Sequence, residues 1–321
     1  MVILITGAVS IGVVFLFGCV GEILTEKAGH LNLGIPGIMC MGAAGGCLGV
    51  ATYMNSLPSA ENASWLLLIL IAVIFAGLFG AFGGAIYGFL TVSLRSNQNI
   101  TGLALTTFGA GFAQFVMDTY VDRSRFAAAS KIIRTSLPFA DDLGWFGEIL
   151  FSYGFLVYLA IAIAVVTAIV LKKTKIGLNL RAIGENPATA DAAGINVNAY
   201  KYGAILIGSA IAGLGGMFYI MDYIGGSWEN ASTIEALGWL AIALVIFCMW
   251  KPDLSILGAF LFGALYIAPS IITGISFSQM KILKLLPYVV TVVVLIVTSI
   301  LDSKENQPPA SLGLNYFRED R

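Results

Sequence analysis

Very few side chains in this sequence could carry acid–base, nucleophilic or metal chemistry. There is one histidine, His30, in 321 residues, and no serine lies in a nucleophile motif beside it. The sequence has no His-Glu-x-x-His run and no Asp-rich motif for a metal ion. Glu22, Asp118, Asp222 and Glu235 are predicted to lie at the ends of apolar segments. These residue types and spacings predict no catalytic centre, no metal site and a structural role for His30.

Motifs for nucleotide and disulfide chemistry are also missing from the sequence. No Gly-x-x-x-x-Gly-Lys-Ser/Thr run occurs, so the chain cannot hold ATP phosphates in that way. The four cysteines lie in apolar stretches without metal-ligand spacing, which is typical of buried free thiols. A net charge of −1 gives no reason to expect a nucleic-acid partner.

The elements that must position the polar residues are strongly apolar. Hydrophobic residues make up 58% of the chain and charged residues 11%, with a mean hydropathy of +0.90, whereas about a quarter of a soluble domain is charged. A span needs about 20 mostly apolar residues. The sequence therefore predicts an all-α polytopic membrane protein, a helical bundle of about nine spans (about eight to ten). We expect one transmembrane domain over residues 1–301 and a short cytoplasmic tail at 302–321.

The candidate spans are 2–20, 35–53, 65–94, 100–117, 149–171, 202–221, 234–250, 254–275 and 285–301. Segment 2–20 lacks a basic start, so we interpret it as the first span rather than a cleaved signal peptide. Segment 65–94 is long enough for one tilted span or for a span with a re-entrant piece. Because almost no charge is predicted inside the spans, proton-coupled transport is disfavoured, while sodium sites made of carbonyls and hydroxyls stay open.

Lysine and arginine in short loops predict the orientation of the bundle. Loops 54–64 and 222–233 contain neither residue and are predicted to lie outside. The side predicted to be cytoplasmic carries Lys27, Arg95, Lys172, Lys173, Lys175, Arg181, Lys201 and Lys251. Stretch 172–201 and the C-terminal tail are therefore expected inside, and the N-terminus outside. Two adjacent prolines and mixed charge predict that the tail is disordered.

The polar stretch 172–201 contains the signals of a short helix. Asn186 is a suitable N-cap, Pro187 suits the first helical position, 188–193 is rich in alanine, and Gly194 suits the left-handed residue after the end. A helix of about seven residues is marginal alone in water. We expect the rest of the chain or another protein to hold it, and its shape suits docking into a partner's groove.

Two further stretches carry polar groups close to the spans. Residues 31–37 interrupt the entry to the second span, and they could line a pathway or form an interfacial loop. Gln114 is the only amide well inside a predicted span. It should face protein rather than lipid, either in an interhelical hydrogen bond or in contact with a substrate.

Residues 21–43 resemble the N-terminal signature of permease subunits of bacterial ATP-binding-cassette importers, in the branch for branched-chain amino acids, simple sugars and nucleosides. The matching positions are Glu26, Lys27, Gly29, Asn32, Leu33, Gly34, Gly37, Met41, Gly42 and Ala43. Pro36 stands where many members of that family have an acidic residue.

A second stretch, 177–194, is similar to the coupling loop of the same family, which contacts the ATPase subunit. The residues that carry this similarity are Arg181, Gly184, Glu185, Asn186, Pro187, Ala190 and Gly194. Residues 241–252, and Leu286-Pro287-Tyr288 leading to Thr291, look like the C-terminal spans of nucleoside-type members.

The resemblance implies a transport subunit rather than an enzyme, in the bacterial plasma membrane. Its implied partners are an ATP-binding-cassette ATPase, which would carry ATP and Mg²⁺, a second and paralogous permease chain, an extracellular substrate-binding lipoprotein and membrane lipid. No cofactor is expected in this chain.

The implied substrate is a small neutral solute, a nucleoside in the first place, because bases stack on aromatic rings without needing charge. Candidate contacts are Asn32, Asn99, Phe108, Phe112 and Gln114. A sugar permease of the same family and an ATP-independent channel or facilitator are the alternatives. An intramembrane enzyme or a scaffold is disfavoured because the catalytic and metal sets are missing.

Overall fold

The computed structural model describes residues 2–136, 144–272, 274, 276–301 and 307–317. Within these ranges every regular element is helical, and the α-helices in chain order are α1 (Val2–Lys27), α2 (Ile35–Ser56), α3 (Trp65–Gly88), α4 (Gln98–Thr119), α5 (Phe126–Ile133), α6 (Gly144–Leu150), α7 (Phe155–Lys173), α8 (Lys175–Glu185), α9 (Pro187–Ala192), α10 (Val197–Phe218), α11 (Ala231–Phe247), α12 (Pro252–Ile271), α13 (Phe277–Leu283) and α14 (Leu286–Leu301). Eight helical stretches are long and apolar enough to cross a bilayer, one of them running from α13 into α14. With the shorter apolar helix α11, the described helices confirm the predicted all-α bundle of about nine spans.

Helix α2 lies at the centre of the bundle, where α3, α4, α10 and α11 pack around it. Small residues let these helices approach closely. A Cβ added at Gly213 in α10 would lie 2.7 Å from the carbonyl oxygen of Ala76 in α3 and 3.2 Å from the Cα of Gly42 in α2. The bundle therefore depends on the absence of side-chain atoms at this three-helix crossing.

Helix α1 continues to Lys27, beyond the predicted end of the first span at residue 20. Glu22 and Glu26 therefore lie inside an apolar helix, 0% and 3% exposed, so the prediction that Glu22 lies at the end of a span is wrong. One hydrogen bond to each side chain offsets part of the cost of this burial, because an unpaired carboxyl group in an apolar interior is costly. Glu22 accepts a hydrogen bond of 3.0 Å from the backbone N–H of Asn32, and Glu26 accepts one from the indole N–H of Trp250.

The long third span is one helix without a re-entrant piece. Helix α3 continues through a π-helical turn, Phe89–Ser93, to give a helical stretch of 29 residues. Helix α10 ends in the same way in the π-helical turn Tyr219–Tyr223. The predicted span 149–171 begins later, at Phe155, because residues 149 and 150 end the short helix α6.

The irregular segment before α2, residues 31–34, forms hydrogen bonds to side chains of α3 and α4. The backbone N–H of Leu31 donates to the side chain of Gln98 over 2.8 Å, and the Leu31 carbonyl accepts from the hydroxyl of Tyr87 over 2.7 Å. Thr106 donates to the carbonyl of Leu33 over 2.8 Å. These bonds satisfy backbone groups that would otherwise be unpaired at the helix end.

The C-terminal residues 307–317 pack against the bundle, so the prediction of a disordered tail is wrong for this part. The backbone N–H of Ser311 donates to the carbonyl of Gly184 over 2.9 Å. The amide of Asn315 donates to the carbonyl of Arg95 over 2.6 Å. Specific bonds of this kind offset the entropy of ordering a short tail. Residues 302–306 and 318–321 of the predicted tail lie outside the described residues.

Candidate coupling surface and membrane path

The short helix predicted in stretch 172–201 is present as α9. The side chain of Asn186 accepts a hydrogen bond of 3.0 Å from the backbone N–H of Thr189, which is the N-cap geometry. Pro187 opens the helix, and Gly194 follows it with a φ of +81°. Local residue types thus decide both ends of α9.

Helix α8 precedes α9 and presents two different faces. Thr174 caps its start by accepting a hydrogen bond of 3.1 Å from the backbone N–H of Gly177. Gly177, Leu180 and Gly184 are buried, at the spacing of one helical face. At Gly184 the backbone of α8 approaches the Lys27 carbonyl so closely that a Cβ would not fit.

A small apolar core fixes α9, which answers what holds so short a helix. Ile183 of α8, Ala190 of α9 and Val197 of α10 are buried together. Tyr316 of the C-terminal segment packs against them, and its hydroxyl donates to the carboxylate of Asp191 over 2.8 Å. The chain itself therefore holds α9 with a contact that comes from its own C-terminal end.

The seven residues expected to contact an ATPase differ in their exposure in the structure. Gly184 and Ala190 are buried and position the helices. Pro187 is half-buried, and the remaining four, Arg181, Glu185, Asn186 and Gly194, are exposed. The exposed set forms the surface that a partner could contact, and its role in coupling stays a prediction.

Removing the hydroxyl of Tyr316 is expected to loosen α9. A buried hydrogen bond contributes about 1 kcal/mol, so Tyr316→Phe should speed local opening about fivefold. Hydrogen exchange of the α9 amides measures this opening. Tyr120→Phe is the matched control, because Tyr120 is 63% exposed at the end of α4. Equal exchange in the two variants would show that the C-terminal segment does not restrain α9.

His30 is buried beside this region, between α1 and α2. His30 is 1% exposed, and its ring meets the ring of Tyr87 edge-on, with 6.4 Å between the ring centroids. Neither nitrogen of the imidazole has a hydrogen-bond partner within the described residues. Lys201 and Arg95 line the same small cavity. Burial, with the charge of Lys201 as the smaller cause, holds the pKa of His30 well below its usual range. The imidazole is therefore neutral in the folded protein.

The depressed pKa of His30 predicts a loss of stability in mild acid. The unfolded chain takes up a proton at this residue below about pH 6.5, while the folded chain does not. The contribution of His30 to the free energy of unfolding should therefore fall by up to about 1.4 kcal/mol per pH unit between about pH 6.5 and 5. Thermal unfolding of the wild type and of His30→Gln in detergent at several pH values measures this contribution as the difference between their two slopes. The wild type should lose more stability, or gain less, than the variant as the pH falls, and equal slopes would contradict the assignment.

The five candidate substrate contacts lie in two places. Phe108 and Phe112 stack on α4 with ring centroids 6.0 Å apart. Gln114, two residues beyond Phe112, accepts a hydrogen bond of 3.2 Å from the backbone N–H of Ala231, so it forms an interhelical bond. Asn99 is exposed in the first turn of α4, about 22 Å from Gln114 at 1.5 Å per residue. Asn32 is buried near that same end of the helix.

Sequence reasoning missed the stripe to which these α4 residues belong. Along one side of α4, the described protein leaves exposed a mixture of aromatic, aliphatic and polar residues, namely Asn99, Ile100, Leu103, Thr107, Phe108, Phe115 and Asp118. Their spacing is that of one helical face. The signal was available in the sequence as polar residues on an apolar stripe, but it needed the packing to show which face stays uncovered.

Comparison with known proteins identifies the class of this bundle. Residues 3–298 match the model of the family described as branched-chain amino acid transport system / permease component. The chain belongs to this family. It is a multi-pass membrane protein and the permease subunit of an ABC importer, which confirms the prediction of a transport subunit rather than an enzyme.

Several curated relatives are similar over most of their length. The nucleoside ABC transporter permease protein NupC of Lactococcus lactis is 30% identical over 94% of this chain and 93% of that protein. The guanosine ABC transporter permease protein NupQ of Bacillus subtilis is 30% identical over 94% and 92%. The putative glucose ABC transporter permease protein TsgC13 of Haloferax volcanii is 33% identical over 82% and 75%. No solved structure matches this chain.

Proposed function

We propose that this chain pairs with a second, paralogous permease chain to form the membrane path of a nucleoside importer in a bacterial plasma membrane. The single observation that carries the path is the exposed face of α4. Two relatives whose names specify nucleosides or guanosine support the substrate, since each is 30% identical over 94% of this chain. Phe108, Phe112 and Asn99 are the proposed contacts along this path, whereas Gln114 bonds to the backbone of Ala231 and Asn32 is buried beside the path.

The exposed face of α4 differs from the exposed face of α3. Leu66, Leu70, Ile74, Leu78 and Phe82 make the exposed side of α3 wholly apolar, as expected for a surface against lipid tails. The exposed side of α4 carries Thr107 among its aromatic rings near the middle of the helix, and Asp118 one residue before its end. Polar residues in a span face protein or a water-filled cavity rather than lipid. The α4 face therefore suits a path shared with a second permease.

The exposed side of α8 and α9 is the proposed docking surface for an ATP-binding-cassette ATPase. That partner would hold ATP and Mg²⁺, because no phosphate-binding motif occurs in this sequence. Closure of two copies of the ATPase would move α8 and α9 as one rigid unit, because the bundle and the C-terminal segment fix the two helices. The bundle could then switch between outward-open and inward-open states, provided that ATP binding favours one of them. An extracellular lipoprotein would deliver the substrate.

The experiment is a reconstitution of the complete importer in lipid. ATP hydrolysis is measured with binding protein that is empty or loaded with a nucleoside, with glucose or with a branched-chain amino acid. We expect stimulation by the nucleoside-loaded protein. Stimulation only by the glucose-loaded protein would favour the sugar alternative, which the similarity to TsgC13 supports. Solute uptake that continues without ATP would favour a facilitator and contradict the proposal.

Replacing Phe108 by alanine is expected to weaken nucleoside transport. Stacking of one base on an aromatic ring contributes about 1–3 kcal/mol, so the transport efficiency should fall by about tenfold. Uptake of a labelled nucleoside at several concentrations measures the change. Ile74→Ala on α3 is the matched control, because Ile74 and Phe108 are 52% and 50% exposed on different faces. An equal loss in both variants would remove Phe108 from the path.

A further inference from the structure

A large apolar groove separates α7 from α10 on the side of the bundle next to α8. Its volume is about 720 Å³, and the two helices hardly contact each other directly. Leu24 of α1 lines the groove, and Ile176 and Leu180 of α8 line the end of it next to α8. The side chains along it are almost all aliphatic, with Thr167 and Tyr200 as the polar exceptions. The described residues of the chain leave this groove unfilled.

The groove has the depth of one leaflet of a bilayer. It follows α7 from Leu159 to Leu171 and α10 from Ala199 to Ile211, which is about 18 Å along each axis at 1.5 Å per residue. Half of a hydrocarbon core of about 30 Å is about 15 Å. On the two walls, Val166 and Ile207 are 56% and 59% exposed. The groove therefore opens sideways toward the acyl region.

Positive charge lies where the groove meets the surface. Lys173 ends α7 and Lys175 begins α8, next in sequence to Ile176, which lines the groove. Both lysines are exposed, and neither forms an ion pair in the described part of the chain, whereas Lys172 pairs with Asp253 over 2.8 Å. Two cationic side chains above an apolar slot match an anionic headgroup above an acyl chain.

We propose that this groove binds one anionic phospholipid from the leaflet on the α8 side. An acyl chain lies between α7 and α10, and Lys173 and Lys175 contact the phosphate. The acyl chain contacts Leu180 and Ile176, so the lipid also supports α8 from below. Lipid binding does not depend on the proposed import function.

Charge removal tests the headgroup contact. The full chain is purified in detergent, and its binding of phosphatidylglycerol and phosphatidylcholine is measured by native mass spectrometry. A lysine near an anionic headgroup contributes about 1 kcal/mol, so Lys173→Gln and Lys175→Gln should each weaken phosphatidylglycerol binding about fivefold. Phosphatidylcholine binding should change little. Lys131→Gln, an exposed position on α5, is the control. Equal losses in all three variants would overturn the headgroup assignment.

Filling the groove tests the acyl-chain contact. No atom from elsewhere in the described chain lies within 4 Å of a Cβ added at Gly203, which lines the groove, or at Gly111, which lies on α4. Gly203→Leu should therefore fold normally and lower binding of both lipids at least about tenfold, while Gly111→Leu should not. Unchanged binding in Gly203→Leu would overturn the proposal, as would a crosslink from Ile207→Cys to the second permease in the complete importer.

Discussion

Replacing Gly194 by valine is expected to lower strongly the stimulation of ATP hydrolysis by a loaded binding protein while the chain still inserts. Gly194 has a φ of +81°, in the left-handed region that costs a residue with a side chain about 1–2 kcal/mol, and a β-branched residue is especially disfavoured there. Helix α9 has six residues and is marginal without its contacts. Strain of this size should displace the end of α9 and lower the stimulated rate about tenfold or more.

Asparagine at the same position separates backbone strain from loss of space. Asn tolerates the left-handed conformation after a helix end, and no other part of the described chain lies within 4 Å of the added Cβ. Gly194→Asn should therefore keep most of the stimulation. The ATPase activity of the reconstituted importer is the readout, with membrane insertion checked by recovery of the chain in the membrane fraction and folding checked by size-exclusion chromatography. If the valine variant keeps as much stimulation as the asparagine variant, the geometry of α9 does not transmit the coupling.

Replacing Gly213 by alanine is expected to destabilise the bundle, although alanine favours a helix more than glycine does. The added Cβ would lie 2.7 Å from the carbonyl oxygen of Ala76 and 3.0 Å from the Cα of Gly80. Both are backbone atoms, so the helices must move apart. Overpacking of this kind costs about 1–3 kcal/mol, and we expect a loss of about 2 kcal/mol in the free energy of unfolding. Thermal unfolding in detergent measures the change.

The same substitution at Gly203, on the same helix, should have the opposite sign. No clash occurs at Gly203, and alanine in a helix interior is more favourable than glycine by about 0.5–1 kcal/mol. Gly203→Ala should therefore raise the unfolding temperature, and Gly213→Ala should lower it. If both variants shift in the same direction, the close crossing of α2, α3 and α10 is not what stabilises the bundle.

The buried carboxylates show where reasoning from the sequence reached its limit. A hydropathy pattern ends the first span before Glu22, because a hydropathy scale assigns every acidic residue the free-energy cost of contact with lipid. The structure pairs Glu26 with Trp250, a residue 224 positions away in the chain. No local pattern reports such a partner, and the partner is what makes burial possible.

The α4 residues give the opposite lesson. The sequence shows polar residues in the fourth span and predicts that Gln114 faces protein. The hydrogen bond from the backbone N–H of Ala231 distinguishes between its two possible roles, and this bond depends on the packing of α4 against α11. Which face of α4 stays uncovered is a property of helix packing, so the exposed stripe appeared only with the fold.

The sequence by itself determined the membrane class, the approximate number of spans, the family and both ends of α9. The membrane class and the number of spans follow from composition, and the ends of α9 follow from interactions within a few residues, such as the cap at Asn186 and the left-handed Gly194. The family follows from the resemblance of stretches 21–43 and 177–194 to known permeases. Only the tertiary structure decided that Glu22 is buried, that Tyr316 packs against α9, and that α7 and α10 leave a groove between them. Each of these depends on contacts between distant parts of the chain, which local patterns do not encode.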